Sequence, residues 1–184
     1  MENCGLPIEE IGICNNRISY KTVAKNEFLV MPGNISGYTF FIERGMLRMY
    51  AIDEKGKEHT IQFAPEMWLL ADRRSTYLKE PSKFYIQAVE ESDVVYLERG
   101  FVEELVKMFP DVAEEITMLL HRHIMLGQHR IHQLLSASAE ERYLDFLDTY
   151  PHLINRLPLC MIASHLGMTP ESLSRVRSEL SRAE

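Results

Sequence analysis

Between Thr169 and Ser178 the chain sets out a row of hydrogen-bonding side chains: Thr169, Glu171, Ser172, Ser174, Arg175 and Ser178. Leu173, Val176 and Leu180 are interleaved with them. At helical spacing these apolar residues take one face and leave the polar groups outward. Thr169 is a good N-cap, and Pro170 suits the first helical position. Upstream, Ile162, Ala163 and Leu166 mark the apolar face of a shorter helix, which Gly167 can end at φ > 0. Two short helices joined by so tight a turn form a helix-turn-helix, whose second helix fits a DNA major groove. The same signals suit an αα-hairpin that only closes a helical bundle, and this stretch alone does not separate the two.

Other groups capable of chemistry are sparse. A metal-dependent jelly-roll enzyme needs a His-x-His pair with a nearby Glu and His on barrel strands. The strand-rich part of this chain holds only His59. His121 and His123 fall in a long helical stretch, where residues two apart point different ways. His129 and His132 can share a helix face, but two ligands rarely hold a metal. Cys4, Cys14 and Cys160 lack metal or redox spacing. No phosphate-cradling glycine loop and no nucleophile–base pair is present. The expectation is a protein that is not an enzyme and holds no metal.

The elements that must position these groups follow from the texture of the chain. Its 184 residues suffice for one large or two small domains. From Arg17 to Leu97 the sequence breaks into short β-branched and aromatic runs: Ile18–Val23, Phe28–Met31, Tyr38–Glu43, Met46–Ile52, Glu58–Phe63, Phe84–Val89 and Val94–Leu97. Turn signals separate them, and Asp53-Glu54-Lys55-Gly56 reads as a hairpin loop. Strands at this spacing predict a small sandwich or barrel of jelly-roll type. A short helix is expected over Pro7–Cys14, and another through Phe101, Leu105 and Met108.

Asp111 then opens a long helix to about Ser136, with two apolar stripes. One is Val112, Ile116, Leu119, His123 and Leu126; the other is Ala113, Leu120, Ile124, Ile131 and Leu134. A helix apolar on two sides must bury both, and near-heptad spacing makes a second copy the obvious partner. Ile116, Leu119, His123 and Leu126 are the expected dimerisation residues. Ser136-Ala137-Ser138 reads as a hinge, and Ser138 with Glu141 as a capping box opening a helix that ends before Pro151.

Charge and targeting narrow the classes further. The net charge of −7 speaks weakly against nucleic acid. From Pro151 to Glu184, however, Arg156, Arg175, Arg177 and Arg182 face Glu171, Glu179 and Glu184, a local +1. An acidic body with a locally basic reading surface is compatible with DNA binding. No apolar run of about 18 residues marks a membrane span. The Met1-Glu2-Asn3-Cys4 start lacks the marks of a signal peptide, and a reducing cytoplasm is the expected compartment.

From about Ser19 onward this order of parts resembles the Crp/Fnr family of bacterial transcription regulators. Phe41-Ile42-Glu43-Arg44-Gly45-Met46-Leu47-Arg48-Met49-Tyr50 is similar to the family's strand-glycine-strand core, and Asp53–Glu58 to its following hairpin. Thr169-Pro170-Glu171-Ser172-Leu173-Ser174-Arg175 is similar to the start of its recognition helix. The resemblance implies an α+β chain: a jelly-roll β-barrel sensor domain (1–110), a dimerisation helix and hinge (111–137), and a small all-α helix-turn-helix domain (138–184). It also implies a homodimer with double-stranded DNA and RNA polymerase as partners, in which Glu171 and Arg175 read bases. The chemistry fits, since Arg can bond guanine bidentately and Glu can accept from cytosine N4. An exposed i,i+4 salt bridge is the plainer reading of that pair.

Two departures from the family pattern are expected. The chain stops at Glu184, before the family's β-hairpin wing. The cyclic-nucleotide pocket is altered: Pro65-Glu66 stands in place of the Gly-Glu pair, and the strand-entry arginine is replaced near Lys83. Arg73-Arg74-Ser75-Thr76 falls in an intervening helix or loop. Trp68, Lys83 and Tyr85 are the pocket residues named here, for an unidentified small effector other than cAMP, or for none. A small-molecule-binding jelly-roll module without DNA binding, its C-terminal helices serving only as packing, is the competing class.

Overall fold

The computed structural model describes residues 17–183; the short helix expected at Pro7–Cys14, with Cys4 and Cys14, lies outside them. The described part of the chain divides into two compact units. One comprises the chain up to Ile52 together with Ile61–Met118; the other comprises Asp53–Thr60 together with Leu119 onward.

The first unit is a jelly-roll sandwich followed by helices. Among the described residues eight strands run in order: β1 (Ile18–Val23), β2 (Phe28–Val30), β3 (Tyr38–Arg44), β4 (Leu47–Ile52), β5 (Glu58–Ala64, of which Glu58–Thr60 belong to the second unit), β6 (Leu69–Leu70), β7 (Tyr85–Ala88) and β8 (Ser92–Glu98). They form two four-stranded sheets, ordered β1-β8-β3-β6 and β2-β7-β4-β5. The expected runs all became strands. The two residues of β6 were missed because so short a piece carries no period.

The two-residue repeat decides what each sheet face buries. Phe40 and Ile42 of β3, Leu47 and Met49 of β4, Ile86 and Ala88 of β7, and Val94 and Tyr96 of β8 fill the sandwich interior. The alternate residues Phe41, Val95 and Leu97 turn the other way. There they are covered by Phe101 and Leu105 of α2 (Phe101–Met108), with Val112 and Ile116 from the start of α3 (Val112–Ser136). This double burial is why Val94–Leu97 reads as an unbroken apolar run.

The turn between β3 and β4 depends on Gly45. Its φ is +91°, and a Cβ there would stand 2.3 Å from Ser92 Oγ and 2.6 Å from the Glu91 carbonyl oxygen. The Ser92 hydroxyl needs that space, because it accepts the Met46 N–H at 3.0 Å.

Within the second unit, the Ser138–Glu141 capping box forms as expected. Ser138 Oγ accepts the Glu141 N–H at 3.2 Å, and the Glu141 carboxylate accepts the Ser138 N–H at 2.7 Å. It opens α4 (Ala139–Thr149), followed by α5 (Leu159–His165) and α6 (Pro170–Ala183). Tyr143 and Phe146 of α4, Leu153, Leu157, Ile162, Ala163, Leu166, Met168, Leu173 and Val176 are buried. Hinge and box join α3 to this core, and His129 Nε2 meets Asp145 Oδ1 at 2.7 Å between α3 and α4.

Candidate nucleic-acid interface

The α5–α6 pair is built by local signals. Leu166 caps α5, and Gly167 follows at φ +65°, where an added Cβ would stand 3.0 Å from Leu134 Cδ2. The Met168 N–H then bonds back to the Ala163 carbonyl at 3.0 Å. Thr169 Oγ1 accepts the Ser172 N–H at 3.2 Å, the N-cap geometry expected of it.

With Leu173 and Val176 buried beneath it, α6 presents Glu171, Ser174, Arg175 and Ser178, all exposed, with Thr169 at its entrance. Ser172 is the exception: it is half-buried, and its amide and hydroxyl are both engaged by Thr169. Hydrogen bonds from its own backbone N–H and from the Thr169 side chain hold the Glu171 carboxyl below the usual range. Glu171 is therefore occupied at the helix start, and among the described residues Arg175 forms no ion pair with it. An i,i+4 salt bridge is not what these two residues make. Both side chains are exposed on one face, a carboxylate and a guanidinium one helical turn apart.

Buried at the end of α5 lies a group that spacing could not reveal. His165 of α5 is buried, with the Phe146 and Tyr150 rings 5.9 and 6.2 Å away. Arg130 Nη1 of α3 lies 2.7 and 2.8 Å from its two ring nitrogens. Burial first, and then the neighbouring guanidinium, push the His165 proton affinity well below that of ordinary histidine. Burial also draws Arg130 down to about 10, still charged at neutral pH.

A pH dependence follows. The unfolded chain binds a proton at this histidine near pH ~6.5, and the folded unit does so only in more acid solution. Between those two values the unfolded state holds the extra proton, so stability falls as pH falls. The expected slope is up to about 1.4 kcal/mol per pH unit below pH ~6.5. Chemical denaturation of wild type and His165→Gln at pH 7 and 5.5 checks it; equal losses in both proteins would refute it.

The three residues named for an effector pocket do not converge. Trp68 is half-buried against the sandwich interior, and there it is Phe84 that joins it. Tyr85, next along the strand, faces the opposite way and stacks on Tyr50 at 4.9 Å, and Lys83 is exposed. Sequence reasoning missed the layer beside Tyr85. Buried Arg48 bonds Gln87 Oε1 through Nε and Nη2 at 3.1 and 2.8 Å, and its guanidinium lies 4.0 Å from the Tyr50 ring centroid. An arginine amid a strand's apolar residues was the available signal.

Arg73–Thr76 fall in α1 (Arg73–Leu78), where Arg73 and Arg74 are exposed and Arg74 pairs with Glu80. Ser75 Oγ accepts the Ser36 N–H at 2.8 Å, and the Thr76 hydroxyl donates to the Tyr38 carbonyl at 3.1 Å. The Ser82 hydroxyl is likewise tied to the Phe84 backbone. Among the described residues no group of three His, Cys, Asp or Glu side chains is placed to hold a metal ion.

On α3 the two apolar stripes have different fates. Ile116, named for dimerisation, packs instead on its own sandwich, because the first turns of α3 lie against Phe41, Val95 and Leu97. Leu119 and His123 are half-buried and Leu126 is exposed. The other stripe is open: Leu120, Ile124, Ile131 and Leu134 are all exposed, Ile124 at 57 % and Ile131 at 60 %. No helix among the described residues is long and apolar enough to cross a membrane.

Residues 20–109 match the family model of the cyclic nucleotide-binding domain. The chain is 25% identical over 167 residues to electron transport regulator A of Shewanella oneidensis, covering 85% of this chain and 66% of that protein. It is 25% identical, over 85% of its length and 68% of the relative's, to the transcriptional activator protein Anr of Pseudomonas aeruginosa. The chain thus spans about two thirds of the length of these curated relatives. Among solved structures, FixK2 from Bradyrhizobium japonicum superposes with a TM-score of 0.75 at 18% identity, over 90% of this chain and 85% of that one.

Proposed function

We propose that the chain is a regulator of the Crp/Fnr type, homodimeric and sequence-specific in DNA binding, that reads the major groove with α6. One observation carries this reading: Glu171 and Arg175 stand exposed and unpaired with each other on one face of a capped helix whose other face is buried. In this reading residues 1–110 are the sensor, 111–137 the dimerisation helix and hinge, and 138–184 the reading unit. It acts in the cytoplasm with RNA polymerase as partner, and it is not an enzyme. The test is selection from a random duplex pool at low salt. Enrichment of a near-palindrome supports it, and no enrichment under any effector overturns it.

A two-fold dimer places its recognition helices about 34 Å apart, one turn of DNA. The open stripe of α3 supports such pairing. Leu120, Ile124, Ile131 and Leu134 fall on one heptad seam, with Gly127 at the position between Ile124 and Ile131, and expose apolar surface that a second copy would cover. Ile124→Lys is expected to convert the dimer to monomer at micromolar concentration in sedimentation analysis. A dimer of unchanged stability would place the interface elsewhere.

The sensor, in this proposal, takes a small effector other than cAMP, or none. The internal commitments of Ser75, Thr76 and Ser82 support this, since those hydroxyls already serve backbone groups. Millimolar cAMP is expected to leave the melting temperature unchanged. Binding at a hundredfold excess over Kd would instead stabilise the fold by about 2.7 kcal/mol, an easily read shift.

A further inference from the structure

We propose that Ser164, Arg130 and His165 are positioning residues for the recognition helix: they clasp the edge of β5 at Glu58–Thr60 and thereby fix α5, against which α6 is set. The role rests on the DNA-reading function proposed above.

β5 is the outer strand of its sheet, so the backbone groups on its far side lack a neighbouring strand. Residues 58 and 60 point the same way along that edge. Both are answered by helices of the same unit, to which Asp53–Thr60 belong. Ser164 Oγ accepts the Thr60 N–H at 2.9 Å and donates to the Glu58 carbonyl at 2.8 Å. One hydroxyl thus does what an adjoining strand would do. Arg130 Nη2 donates to the Thr60 carbonyl at 2.8 Å, while its Nη1 reaches His165. Three segments far apart in sequence, the hairpin tip, α3 and α5, meet at Thr60.

The tip is stiff enough to serve as a fixed point. Asp53 Oδ1 accepts the Lys55 and Lys57 N–H groups at 2.9 and 3.0 Å, and Asp53 Oδ2 meets His59 Nε2 at 2.8 Å. The Asp53 N–H bonds the Lys57 carbonyl at 3.0 Å. Opposite the clasp, Glu171 and Arg175 remain exposed, so the contact orients the helix pair without covering the reading face. A reading unit joined to α3 by the 136–138 hinge alone would have to be ordered by the DNA itself, at a cost in affinity that a preformed clasp removes.

The experiment uses the whole chain with Ser164→Ala, Ser164→Thr and Arg130→Lys. Three quantities are read: amide exchange at Thr60, affinity for the selected site, and affinity for random duplex. Ser164→Ala is expected to speed Thr60 exchange and weaken specific binding about tenfold, as loss of two hydrogen bonds should. Random-duplex affinity, set by charge, should not change. Ser164→Thr keeps the hydroxyl and should restore both readouts. Arg130→Lys cannot fork to Thr60 and His165 together and should behave like Ser164→Ala.

Unchanged Thr60 exchange in Ser164→Ala overturns the clasp. Faster exchange with specific affinity unchanged or increased overturns the positioning role. A wild-type protein that selects no site overturns the DNA-reading function and this role together. It is told apart from failure of the clasp by the Thr60 exchange, which needs no DNA.

Discussion

Arg175→Ala will melt at the wild-type temperature and lose specific DNA binding. Arg175 is exposed on α6 and makes no ion pair among the described residues, so its truncation removes no folded-state interaction. A bidentate arginine–guanine contact contributes about 1–3 kcal/mol of discrimination. A two-fold dimer makes it twice, giving about 2–6 kcal/mol, a loss between roughly 30-fold and 10⁴-fold. Affinity for random duplex should change little, because that affinity is carried by phosphate contacts. Fluorescence anisotropy on the selected site and on a scrambled one, at matched salt, reads both quantities. Equal affinity of wild type and variant for the selected site would remove Arg175 from the interface. It would also return the α5–α6 pair to a packing role.

The largest effect on stability is expected at Gly45. An alanine there meets two penalties at once. The φ of +91° places a Cβ in a region that costs L-residues about 1–2 kcal/mol. The Cβ would also stand within 2.8 Å of the Ser92 Cα and closer still to Ser92 Oγ and the Glu91 oxygen, two of them backbone atoms that move only with the strand. Relieving that overlap costs about 1–3 kcal/mol. The total of about 2–5 kcal/mol is a large part of what holds a small domain folded. Gly33 is the control. Its φ is +87°, but nothing lies within 4 Å of its Cβ position, so Gly33→Ala should show the conformational penalty alone. Thermal melts of the two variants separate strain from overlap. If Gly45→Ala and Gly33→Ala melt together, the close approach at Ser92 has no energetic weight.

Much of the fold was legible because its signals are local. Alternation over six or seven residues identifies a strand face, and Ser138 with Glu141 announces a helix start without reference to anything distant. The α5–α6 pair, with Gly167 and Thr169 in place, belongs to the same class. What failed had no local period or needed a neighbour. β6 is two residues long. Tyr85, named with Trp68 for one pocket, faces the other way from it, since the phase of a strand against its sheet is set by pairing with β4 and not by its own residues.

The amino-acid sequence by itself determined the order of strands and helices, the caps, the outward row on α6 and the presence of two apolar stripes on α3. Each depends on residues within a turn or two of one another. Only the tertiary structure decided which stripe of α3 covers its own sandwich and which stays open, because periodicity specifies a face and not what the face meets. It alone brought Thr60 to Ser164 and Arg130, and Arg48 to Gln87. Those contacts join residues dozens of positions apart, and their partners are chosen by the path of the folded chain.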